Sequence, residues 1–141
     1  MSRYDATQSN ESTRSSKIFK DLNLDFQQNT ATKDIQKITD AESVKRSVRN
    51  LINTNHYEKP FHPEIGSNLR GMLFELMSPQ MNHLITKQIE LLIANYEPRA
   101  RLVTVRTLPQ FDRNAYAVTI NFQVVNSPTP VIVETLLERL R

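Results

Sequence analysis

Asn95-Tyr96-Glu97-Pro98-Arg99-Ala100-Arg101-Leu102, NYEPRARL, stands where an apolar stripe of helical spacing stops and an alternating pattern begins. A stop signal would need only the proline, yet a carboxylate and a guanidinium flank it. Upstream, Ser78-Pro79 opens the longest predicted helix, with a capping serine followed by proline at the first helical position, where its missing N–H costs nothing. Met81, Leu84, Ile85, Ile89, Leu92, Ile93 and Tyr96 then recur at three- and four-residue steps, the signature of a core-facing helix. Pro98 disfavours helical geometry at Glu97, so the helix ends there.

Beyond the proline the period changes to two. Leu102 to Leu108 reads as a strand and Pro109 to Asn114 as a turn. In Ala115–Val125, Tyr116, Val118, Ile120, Phe122 and Val124 share one face, and smaller or polar residues share the other. PVIVETLLERLR then reads as a third strand or a terminal helix, its β-branched opening Val131-Ile132-Val133 favouring a strand at first. Toward the N-terminus, Thr39-Asp40-Ala41-Glu42 has capping-box spacing and starts a helix to about Thr54, with Val44, Val48, Leu51 and Ile52 on one face. The loop NHYEKPFHPEIG follows, and Ser67 is placed to cap a short helix carrying Leu69, Met72, Leu73 and Phe74. Ile18–Phe26 and Asp34–Ile38 suggest short extended pieces, while residues 1–17, rich in Ser and Thr, read as a flexible arm. The expected architecture is α+β: an extended N-terminal arm, then one domain over 18–141 with three helices on a small C-terminal β-meander.

Composition narrows the chemistry. The 141 residues include two glycines and no cysteine, so there is no glycine-rich phosphate cradle, thiolate metal site or thiol nucleophile. No apolar run has the length of a membrane span, and the first residues lack a signal-peptide core; the expectation is a soluble protein made in the cytoplasm of its producing cell. The net charge of +3 is mild, and Arg99, Arg101, Arg106 and Arg113 lack interleaved aromatics, so direct nucleic-acid binding is not expected. His56 and His62 share a loop with Glu58 and Glu64 but lack HExxH spacing, so no metal or other cofactor is assigned. Glu58, Glu64, Glu75 and Glu97 are the candidate carboxylates for a glycosidase, and no spacing selects a facing pair.

Two features are left over. From Asn114 to Val133 there is neither charge nor glycine, whereas edge strands usually carry protection against stray pairing. Either another part of the chain covers the ribbon or a partner adds a strand to it. Glu97 and Arg99, held at a fixed angle by Pro98, are either an exposed pair at a helix stop or a presentation of the guanidinium fork to a second chain.

DLNLDF, KITDAESVKRSVRNLINTN, EKPFHPEIGSNLRGMLFE and NYEPRARL, followed by alternating strands, occur in an order that resembles the baseplate wedge and sheath-initiator family of contractile-tailed phages, related to a type VI secretion baseplate component. Glu97-Pro98-Arg99 at the helix-to-strand joint is the most specific piece, supported by Glu58, Pro60, Phe61, the Ile65-Gly66 turn and Leu73-Phe74-Glu75. Lys59 stands where the family favours arginine; it keeps the charge without the two-pronged geometry. The resemblance implies a structural virion protein of the tail baseplate, assembled in the host cytoplasm in several symmetric copies. Its strands would resemble the inner domain of the sheath subunit. Tyr96, Glu97, Pro98 and Arg99 would dock it to larger wedge subunits, and the Tyr116–Val124 face would template the first sheath ring by strand addition, with tube or hub proteins as further neighbours. No membrane binding and no catalytic residue are implied; the alternative is a peptidoglycan-degrading lysozyme-like hydrolase, and a stand-alone adaptor is a third reading.

Overall fold

The computed structural model describes residues 19–125, 127 and 129–139; the arm at 1–17 lies outside the described residues. A three-stranded antiparallel sheet in the order β3-β4-β5 is built from β3 (Ala100–Gln110), β4 (Ala115–Val124) and β5 (Pro130–Glu138). Its register stacks like with like: Val105, Ile120 and Val133 form one row, and Leu102, Phe122 and Val131 another. This face packs against α1 (Asp40–Asn53) and α3 (Pro79–Tyr96), which bury Val44, Val48, Leu51 and Ile52 and Ile85, Ile89, Leu92 and Ile93. Each such side chain contributes roughly 1.5–3 kcal/mol of transfer free energy, so this layer holds the domain together. The fold is α+β, as expected from the change of period at Pro98. Among the described residues no helix is long and apolar enough to cross a membrane.

Several local expectations change. The uncharged Tyr116–Val124 strand is the centre of the sheet, paired by β3 on one side and β5 on the other, so its main chain has no edge to offer. Tyr116, Val118, Ile120, Phe122 and Val124 are all buried under the helices. Lack of charge on β4 reflects burial rather than an open ribbon. The edges are β3 and β5, and these carry the charges: Arg101 and Arg106 on one, Glu134 and Glu138 on the other. β5 is a strand to Glu138, which settles the alternative of a terminal helix for that stretch. β3 runs through Pro109, which an edge strand tolerates; a 3-10 turn at Phe111–Arg113 and a left-handed Asn114 (φ 48°) then complete the reversal.

Helix starts differ as well. Ser78 caps α3 as expected, its Oγ accepting from the Met81 N–H at 3.1 Å. Thr39 makes no side-chain cap on α1. Asp40 instead takes a left-handed φ of 47°, donates its N–H to the Phe19 carbonyl at 2.8 Å and accepts the Phe19 N–H on Oδ1 at 3.1 Å. The start of α1 is thereby tied to the short antiparallel pair β1 (Lys20–Leu22) and β2 (Lys37–Thr39). The Leu22, Leu24, Phe26 alternation does not continue as a strand: β1 stops at Leu22 and Phe26 sits in a turn at φ 53°. α2 (Leu69–Met72) begins after Asn68 rather than Ser67, whose hydroxyl is buried without a partner. Leu84, expected in the core, lies half-exposed on the outer side of α3.

Candidate functional site

α3 ends at Tyr96, and Glu97 still donates its N–H to the Ile93 carbonyl at 2.9 Å before Pro98 turns the chain out. Two residues on, Arg99 folds back over the proline. Its Nε donates to Glu97 Oε1 at 2.6 Å and its Nη2 to Oε2 at 2.8 Å, a bidentate pair. The Ser47 hydroxyl, on the facing side of α1, donates to the same Oε2. Glu97 is only 2% exposed, so this carboxylate is an interior charge, fully engaged. The Arg99 guanidinium lies over the Phe19 ring at 5.6 Å, and the Val125 N–H donates to the Arg99 carbonyl at 3.0 Å. One corner thus joins the end of α3, the middle of α1, the lead into β1 and the end of β4.

Electrostatics follow the geometry. Burial alone pushes the Glu97 pKa up, but the hydrogen bonds from Arg99 and Ser47 and the Arg99 charge outweigh it and hold the carboxyl below its ordinary value. Arg99 is shifted up, chiefly by its bond to Glu97. A carboxylate kept ionised with both oxygens occupied has no proton to give a leaving group, so Glu97 is unsuited to the general-acid role of a glycosidase. Within the chain, the guanidinium spends its Nε–H and one Nη2–H on Glu97.

What the corner shapes is a groove of about 610 Å³ alongside it. Ser47 and Asn50 of α1, with Thr54 just past its end, supply one polar wall, Leu51, Ile65 and Tyr96 an apolar floor, and Asp21, Glu58, Lys59 and Pro60 the rim. The 55–66 loop is braced from within. Glu58 accepts from the Asn55 N–H at 2.8 Å and from Asn55 Nδ2 at 2.7 Å, bonds that lower its pKa. The Tyr96 hydroxyl donates to the Glu64 carbonyl at 2.7 Å, pinning the loop to α3. Gly66 is obligatory: at φ 135° a Cβ would fall 2.6 Å from the Asn55 carbonyl carbon.

The structure therefore gathers Tyr96, Glu58 and Pro60 around one groove, with Glu97 and Arg99 behind its wall, joined to it through Ser47. Pro98 is exposed on the turn above it, and Phe61, at φ 66° and 98% exposed, projects from the loop. Phe74 does not line the groove; it sits under the Arg139 guanidinium at 5.3 Å, beside the end of β5. Sequence reasoning missed Ser47, Asn50 and Asp21. Nothing in the local pattern marks Ser47, because its partner Glu97 is 50 positions away. His62 Nδ1 meets Glu64 Oε1 at 3.1 Å, but among the described residues no three His, Cys, Asp or Glu side chains gather as a metal site.

Comparison with known proteins adds the biological frame. A family model described as baseplate wedge protein gp25 matches residues 39–129. The baseplate wedge protein gp25 of Enterobacteria phage T4 is 30% identical over 115 residues, covering 82% of this chain and 86% of that protein. Among solved structures, a Geobacter sulfurreducens protein described provisionally as a tail lysozyme superposes with a TM-score of 0.65 at 19% identity, over 71% of this chain and 91% of its own. A chain of the type VI secretion system baseplate complex does so with a TM-score of 0.60 at 14% identity, over 71% and 93%. At these identities the two structural likenesses speak for the fold.

Proposed function

The chain belongs to the baseplate wedge protein gp25 family, and from that premise we propose that it is a structural subunit of a contractile-tail baseplate, docked to larger wedge subunits through the groove beside Glu97-Pro98-Arg99. The observation that carries the proposal is the internal lock itself. Ser47, Glu97 and Arg99 immobilise the groove wall before any partner arrives, so docking costs little ordering entropy. Pro60 and the apolar floor offer contact area, while Lys59 and Asp21 supply rim charges that set register. In this reading the protein resides in the virion tail baseplate, in several symmetric copies assembled in the host cytoplasm.

Templating of the sheath belongs to an edge of the sheet, and β5 is the edge that suits it. β3 is blunted by a register shift between Leu102 and Thr104, two arginines and Pro109. β5 pairs with β4 without interruption from Pro130 to Glu138 and holds no lysine, no arginine and no proline after its first residue. A sheath strand added to β5 would gain main-chain hydrogen bonds for affinity and alternating side chains for register.

Two groove substitutions test docking. Lys59→Glu reverses a rim charge, and Asn50→Arg fills the groove; both residues are exposed, so the fold is expected to survive. Tails assembled with either variant should lack the subunit while the purified variant melts like the native chain. Normal incorporation of both would remove the groove from consideration. For templating, a photo-crosslinking side chain at Glu138 should capture a sheath subunit in assembled tails, and capture of none would sink that part.

A further inference from the structure

The sheet face turned away from α1 and α3 is covered by no element among the described residues. Its side chains lie in rows set by the register. Leu108, Ala117 and Leu136 form one row, with Leu108 65% and Leu136 36% exposed. The adjacent row is Arg106, Thr119 and Glu134, a cation and an anion at opposite sides of the sheet, neither in an ion pair among the described residues. Small side chains at the centre, Ala117 and Thr119, leave the middle of the face flat.

We propose that this outer face is a weak self-association surface, on which a second copy seats with its strands parallel to the first. The charges select that arrangement. A two-fold axis running along β4, between the two sheets, places Arg106 of each copy over Glu134 of the other. It also sets Leu108 of each against Leu136 of the other, with Ala117 and Thr119 next to the axis. An axis across the strands would instead stack Arg106 on Arg106 and Glu134 on Glu134, which like-charge repulsion forbids at close range. An isologous interface needs only such a self-complementary patch. Three strands about 4.8 Å apart and roughly 30 Å long present on the order of 400 Å² per copy, about half the usual contribution of one partner in a stable complex. The pair is a weak, salt-sensitive dimer of the free subunit. Both groove and β5 edge stay open in it, so it stands independently of the docking proposal.

Sedimentation velocity on the full chain across the micromolar range tests this. The weight-average sedimentation coefficient should rise with concentration at low salt and rise less at high salt. Arg106→Glu alone and Glu134→Arg alone should each weaken association by about tenfold or more, since each replaces two attractions with two repulsions. The double exchange Arg106→Glu with Glu134→Arg should restore it. The chain has no cysteine of its own, so Thr119→Cys with a short bis-maleimide linker should trap a dimer near the axis. A chain monomeric at every concentration, or a double exchange that fails to restore association, overturns the proposal and leaves the face to another subunit.

Discussion

The corner at 96–99 and the central strand at 115–124 are both rigid and both buried, by opposite means. The corner hides a charge and satisfies it three times over, from Arg99 Nε, Arg99 Nη2 and the Ser47 hydroxyl. The strand hides no charge at all and is held by apolar contact on one face and ladder hydrogen bonds on both edges. Burial of a paired charge specifies an angle between elements, because only one geometry satisfies the carboxylate. Burial of an apolar row specifies little beyond its own face, yet it supplies most of the stability. The corner is where α1, α3, β1 and β4 meet, and it is also where the groove is shaped. The division of labour is that the strand keeps the domain folded while the corner keeps the groove wall in place.

The largest expected effect falls on the strand. Phe122→Ala removes a fully buried ring between Leu102 and Val131 and should cost about 3–5 kcal/mol in denaturant unfolding, to a similar extent at pH 7 and at pH 4. The next falls on the corner. Arg99→Ala leaves the Glu97 carboxylate buried with the Ser47 hydroxyl as its remaining side-chain donor, and about 2–4 kcal/mol should be lost. Arg99→Ala combined with Glu97→Gln should be less destabilised than Arg99→Ala alone, because a neutral amide is easier to bury unpaired. If the double variant is no better, the cost came from lost packing on Phe19, and the corner resembles the strand after all.

The same contrast has a pH signature. The folded-state pKa of Glu97 lies below its unfolded value of about 4.5, so its contribution is fully present above that value. It is lost as pH falls through the depressed folded pKa, where the unfolded chain binds the proton more readily. Glu97→Gln should cost about 1–2 kcal/mol at neutral pH and flatten the acid limb of the stability profile. An acid limb identical to the native one would show that Glu97 is not the group that links this corner to pH.

Much of this layout was legible from period and punctuation. The switch from helical to alternating spacing at Pro98 located the helix-to-strand joint, and the Ser78-Pro79 start of α3 held to the residue. The capping box at Thr39, by contrast, did not form, since the Phe19 backbone reaches Asp40 first; a local motif lost to a tertiary contact. The uncharged strand was visible, but whether it lay at an edge or the centre depended on where β5 would pair, which alternation alone does not encode. The groove was half legible. Glu58, Pro60, Tyr96 and Glu97 stood out in the chain, while Ser47 and Asn50 became meaningful only once α1 was laid beside the end of α3.

The smallest effects sharpen the comparison at the two helices that meet in the corner. α3 begins with a cap made by its own sequence neighbour, the Ser78 hydroxyl on the Met81 N–H. α1 begins with Asp40 tied to Phe19, and the Thr39 hydroxyl adds no cap. Ser78→Ala should therefore cost about 1 kcal/mol, and Thr39→Ala only a few tenths, although both residues look like caps in the sequence. Asp40→Asn keeps an oxygen to accept the Phe19 N–H and should fall between them. Hydrogen exchange at the Phe19 amide separates the cases: faster exchange in Asp40→Asn with no change in Thr39→Ala means that α1, and Ser47 with it, is positioned from β1. Equal exchange in both would mean that α1 is seated by its apolar face alone, and the corner would then lean on the same apolar layer as the strand.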